Sequence, residues 1–137
     1  MSKHTAYIAA AGRVLIAVLF LLSGLSKLAA PAMTQGYIAS VGLPAPLLGY
    51  LIAIAVEIGG GLLLVLGLQT KLVALVMAGF AIATALAFHN NLADQNTMIH
   101  FMKNIAIAGG LLQVVAFGAG AFSLDGRRSG SSRAAVA

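Results

Sequence analysis

The sequence predicts an all-α membrane protein, a bundle of four transmembrane helices, and three observations lead there. The chain is 61% hydrophobic and 8% charged over 137 residues, with a mean hydropathy of +1.01; a soluble domain of this size does not bury that much apolar surface. Its apolar residues gather into four runs, each close to the roughly 20 residues that cross a hydrocarbon core. Strict apolar–polar alternation is absent, which argues against a transmembrane barrel, and in lipid only helices and closed barrels satisfy their backbone.

The four predicted spans cover residues 7–28, 46–68, 71–89 and 99–117. The connection from Ala29 to Ala45 holds Pro31, Gly36, Gly42 and Pro44, which break helices; between them Met33–Val41 suits a short interfacial helix. Leu66-Gly67-Leu68-Gln69-Thr70-Lys71 reads as a tight turn between the second and third spans. Residues 90–97 form a polar loop around Asp94. These pieces make one domain over residues 1–124. From Asp125 the composition turns to Arg, Ser, Gly and Ala, which predicts a basic, disordered tail over 125–137.

Positive charge sets the expected orientation. With four spans both termini share a side, and that side holds Lys3, Arg13, Lys71, Arg127, Arg128 and Arg133, leaving only Lys27 and Lys103 opposite. The imbalance places both termini in the cytoplasm and the protein in a bacterial inner membrane. An alternative reads Lys3–Arg13, Val14–Leu22 and Leu28-Ala29-Ala30 as the three regions of a signal peptide. Lys27 sits awkwardly close to that cleavage point, and cleavage would leave three spans. The net charge of +5 fits this topology and contact with anionic lipid better than a nucleic-acid partner. The chain has no cysteine, which excludes disulfides, thiolate metal sites and cysteine-held iron–sulfur clusters.

Ionisable groups at bilayer depth are functional candidates, and Glu57 is foremost among them. It is one of three acidic residues in the chain and lies mid-way along the second run. The expected partner is Arg13, with Lys103 next. The bland alternative is a protonated carboxyl that serves packing alone. On the first span Arg13, Phe20, Ser23 with Gly24, and Lys27 form one stripe, since residues 14 apart return to within about 40° of the same face. That stripe should face the bundle interior, although Lys27 and Lys103 can also snorkel to the headgroups. Gly59-Gly60-Gly61 suits close helix packing. Lys27, His89, Lys103 and Asn104 fall at one membrane face, with His100 beside them. They form either a polar mouth able to hydrogen-bond an anion or a quinone carbonyl, or an ordinary interfacial layer. Haem needs two imidazoles converging at one depth; with His89 and His100 flanking one loop, no metal site is expected. Nucleotide fingerprints and nucleophile–base motifs are absent.

These residues form an ordered series: Arg13; Ser23-Gly24-Leu25-Ser26-Lys27; Gly42-Leu43-Pro44; Glu57-Ile58-Gly59-Gly60-Gly61; Leu66 to Lys71; His89; Phe101-Met102-Lys103-Asn104; and Gly118 to Asp125. The series resembles the DoxX family of small bacterial inner-membrane proteins, over about residues 10–128. The resemblance implies a four-helix membrane bundle. The family takes its name from a subunit of an archaeal thiosulfate:quinone oxidoreductase, and other members are linked to quinone stress or membrane redox complexes. Gly118-Ala119-Gly120 departs from the family's usual Gly-Pro-Gly. The expected function is therefore quinone or quinol interaction, or service as the membrane subunit of a redox complex. Quinone is the one candidate cofactor. Glu57 and Arg13 are the candidate catalytic pair, and Lys27, His89, Lys103 and Asn104 the candidate ligand-binding groups. The alternatives are a non-enzymatic scaffold for a soluble redox enzyme and a small transporter; a homo-oligomer is a further candidate assembly.

Overall fold

The structure, a computed structural model, describes residues 2–136. Seven α-helices and one π-helical segment follow each other, with no strand among the described residues. Four helical units are long and apolar enough to cross a membrane: α1 (Lys3–Ala29), a composite of α3 (Pro46–Ile54), a π segment (Ala55–Gly60) and α4 (Gly61–Leu66), then α5 (Thr70–Phe88) and α6 (Gln95–Phe117). The short connecting helix expected over 33–41 is α2 (Pro31–Ser40).

The helix ends follow from local chemistry. Ser2 caps α1 by accepting from the Thr5 amide at 3.2 Å. Pro31 and Pro46 open α2 and α3 at the first helical position, where a missing N–H costs nothing. Asp94 caps α6. Gly67 is left-handed at φ 66°; its amide bonds to Leu64 O and the Leu68 amide to Leu63 O, the paired reverse bonds of a Schellman stop.

The bundle is packed on small residues. Ala17, Ala74, Ala78, Ala81 and Ala108 are buried with Phe20, Leu64, Met77 and Leu111, while Leu15, Leu22, Leu72 and Phe117 face outward. In lipid a leucine gains little by moving inside, so close backbone approach decides which residues pack. The register of α1 against the second span shows this. A Cβ on Gly24 would meet Ile58 at 2.5 Å and Glu57 Cβ at 3.1 Å; one on Gly61 would meet Leu21 at 2.8 Å. Gly24 therefore lies level with Glu57, and Leu21 with Gly61.

The tail differs from its expected disorder. Leu124–Val136 is α7. Its start is fixed by Ser123, whose hydroxyl accepts from the Gly126 amide at 2.9 Å, a serine cap that the Arg/Ser/Gly composition obscures.

Candidate functional site

The expected pairing of Glu57 with Arg13 or Lys103 is not what the chain forms. Glu57 pairs with Lys27, Nζ to Oε1 at 3.1 Å. The packing register is the reason. Glu57 lies level with Gly24, and Arg13 is 11 residues back along α1, roughly 16 Å by helix rise, beyond the reach of its side chain. Lys103 is exposed on α6 and makes no hydrogen bond or ion pair among the described residues.

Lys27, Ser23 and Glu57 form a closed triangle. Ser23 Oγ donates to Glu57 Oε1 at 3.0 Å, and Lys27 Nζ donates to Ser23 Oγ at 2.9 Å and to the same Oε1. Ser23 and Lys27 meet because they are one turn apart on α1. The Lys27 side chain is 29% exposed and that of Glu57 only 6%. Glu57 Oε2 is buried with no partner among the described residues. Tyr50, buried on α3, donates its hydroxyl to Lys27 O at 3.3 Å and ties the end of α1 to the second span.

The carboxylate sits within the π segment. A π turn inserts one residue without ending the helix and recurs at functional sites. Above it, α5 packs on α6, α4 and the π segment rather than on α3. The space left between α1, α3 and α5 is a cavity of about 810 Å³. Phe20, Ile38, Ile52 and Phe80 supply apolar wall; Ser23, Lys27, Glu57, Thr84, His89 and Asn104 supply the polar groups; Met33 and Tyr37 of α2 lie along it.

Two further polar contacts belong to this cavity. Asn104 Nδ2 donates to Thr84 Oγ1 at 3.1 Å and to Ala81 O at 3.3 Å, and Thr84 Oγ1 donates to Ala81 O. His89 and His100 stack at 5.3 Å between ring centroids. Burial and the neighbouring His100 both hold the His89 imidazole below its ordinary pKa. Of the predicted mouth, Lys27, His89 and Asn104 line the cavity and Lys103 does not. Sequence reasoning missed Thr84, Tyr50 and the role of α2. Thr84 had a readable signal: it and Asn104 are equidistant from Asp94, the centre of the α5–α6 turn.

Arg13 works at the other end. It is 3% exposed, and its guanidinium donates to the backbone carbonyls of Ala119 and Phe122, the latter at 2.9 Å, with Val65 O at 3.4 Å. Asp125 locks the same corner. Its carboxylate accepts from the amides of Gln69 and Thr70 at 3.0 and 2.8 Å, and its own amide donates to Gly67 O at 2.9 Å. Partial burial pushes the Asp125 carboxyl up, but bonds from Thr70 and Gln69, with Arg128 nearby, outweigh it and hold it below its ordinary value. Gly118 to Asp125 is therefore a strap that closes the terminal end around Arg13.

The DoxX family model matches residues 8–90. The chain is 40% identical over 113 residues to inner membrane protein YqjF of Escherichia coli (strain K12), covering 82% of this chain and 85% of that one. It is 34% identical over 120 residues to inner membrane protein YphA of the same organism, covering 84% and 86%. No solved structure matches. The family match spans most of the chain and joins α1, the π segment that carries Glu57, and α5 up to His89 near the cavity mouth, so this four-span inner-membrane protein belongs to the DoxX family.

Proposed function

We propose that the protein binds quinone or quinol in the cavity between α1, α3 and α5, as the membrane subunit of a redox complex, with both termini in the cytoplasm. One observation carries the reading: an about 810 Å³ chamber walled by apolar side chains ends on a part-buried ion pair, Lys27–Glu57. Ligand sites are commonly apolar clefts with a few convergent polar groups, and a quinone is an apolar ring with a polar atom at each end. Lys27 and Glu57 would meet one ring end. His89, at the end of α5, and Asn104, on α6, line the chamber as well. The alkyl tail leaves between helices into lipid. Electrons would reach the site from a partner protein, because the sequence offers no resident redox group.

The test is binding of a short-chain benzoquinone analogue, in both redox forms, to protein in nanodiscs. K27A and H89A should each weaken it about tenfold in folded protein. Unchanged affinity in both removes the cavity from the argument, and the scaffold reading replaces it. A reporter fused after Ala137 that is active only in the periplasm overturns the orientation.

A further inference from the structure

The hydrogen-bonding capacity around the cavity can be counted atom by atom. A carboxylate only accepts, a hydroxyl gives one proton, an amide nitrogen gives two and an ammonium three. Ser23 spends its proton on Glu57 Oε1. Thr84 spends its own on Ala81 O, and Asn104 Nδ2 spends both on Ala81 O and Thr84 Oγ1. The backbone carbonyl of Ala81 fixes which end of the Asn104 side chain is nitrogen, since two carbonyl oxygens would repel. Lys27 uses two of its three protons, on Ser23 and Glu57.

Three donors remain: Lys27 keeps one N–H, and the His89 ring and the Tyr37 hydroxyl, neither of which is hydrogen-bonded among the described residues, offer one each. Two of the leftover oxygens can only accept: Asn104 Oδ1, and Glu57 Oε2, which is buried without a partner among the described residues. An orphaned buried acceptor is unusual in a folded protein and marks a place where a donor belongs. Glu57 lines the cavity, and the last torsion of a glutamate is broad and shallow, so a partial turn of the carboxyl presents the spare oxygen to a bound molecule.

We infer that the cavity prefers the hydroxyl-bearing, reduced form of its ligand, an alkylated benzenediol, over the oxidised quinone, with Glu57 Oε2 accepting the hydroxyl proton. This rests on the quinone reading above and narrows it. A quinone carries only carbonyl acceptors, so seating it against Glu57 sets oxygen against oxygen. A diol hydroxyl donates to Oε2 and still accepts from the free N–H of Lys27. A second hydroxyl can donate to Asn104 Oδ1.

The experiment measures binding of a short-chain alkyl benzoquinol and its oxidised partner to the wild-type protein in nanodiscs under anaerobic conditions, with the midpoint potential of the bound couple as an independent readout. The reduced form should bind at least tenfold tighter, which raises the potential of the bound two-electron couple by about 30 mV over the free one. In E57Q the amide can donate, so the ratio should fall towards one while binding persists. Equal binding of both forms, or tighter binding of the quinone, by wild type overturns this inference and leaves the binding site in place. Binding of neither form overturns the site as well. The wild-type ratio decides the matter even if E57Q fails to fold.

Discussion

Arg13 and Lys27 lie on one stripe of α1, yet they do opposite work. Arg13 is sealed at the terminal end, the two outer nitrogens of its planar fork held by fixed backbone carbonyls. Lys27 is part-exposed at the cavity, sharing one carboxylate oxygen with a serine and keeping a proton free. Guanidinium is rigid, permanently charged and suited to several fixed acceptors, whereas a lysine ammonium is a mobile point charge on a flexible stem. The cation at the terminal end therefore holds the fold, and the one at the cavity is available for a ligand.

The sharpest break of that contrast is R13A. It removes two well-formed charge-assisted bonds at a buried site, each worth about 1.5–3 kcal/mol, so we expect a loss of about 3–5 kcal/mol in reversible unfolding in detergent, with ligand affinity unchanged in whatever remains folded. K27M should cost about 2–3 kcal/mol, less than the 3–5 typical of a fully buried pair, because Ser23 still solvates Glu57. The double variant K27M/E57Q should recover to within about 1 kcal/mol of wild type, since no buried charge is left unpaired, yet bind no ligand. Full binding by that variant would erase the distinction between the two ends.

Smaller effects follow. D125N weakens the cap of α5 by about 1 kcal/mol. Asp125 is held below its ordinary value in the folded state. Its contribution is thus complete above the unfolded value near pH 4 and is lost as pH falls through the folded one. The stability gap between wild type and D125N should close in that acid range. His89 is a base held low by burial and by His100, so folding favours its neutral form. The associated stability is full above about pH 6.5 and declines as pH falls through the folded value. An NMR titration should place the His89 midpoint below 6.5, and H100A should move it upward. K103A should change neither stability nor affinity beyond about 0.5 kcal/mol.

What the sequence discloses depends on which atoms make a contact. The α5–α6 hairpin was readable, because Thr84 with Asn104, and His89 with His100, mirror each other about one short loop. The four spans were readable because lipid imposes length and composition. The partners of Arg13 were not, since backbone carbonyls belong to every residue and leave no letter in the sequence. The Lys27–Glu57 pair was hidden for a different reason: a loop carrying α2 separates the two helices, and their register is set by Gly24 and Gly61 meeting bulkier side chains. The serine cap of α7 was overruled by a composition that reads as disordered.

The π segment makes the second span one residue out of phase with an ordinary helix. If Ala55–Gly60 wound as an ordinary α-helix with no residue removed, the halves on either side would rotate against each other by about 100°. With α4 still seated against Ala17 and Leu21, Glu57 would swing out of the cavity towards lipid while the sequence kept every polar group it has now. The chemistry at Lys27 thus depends on how Ala55–Gly60 winds as much as on which residues line the cavity.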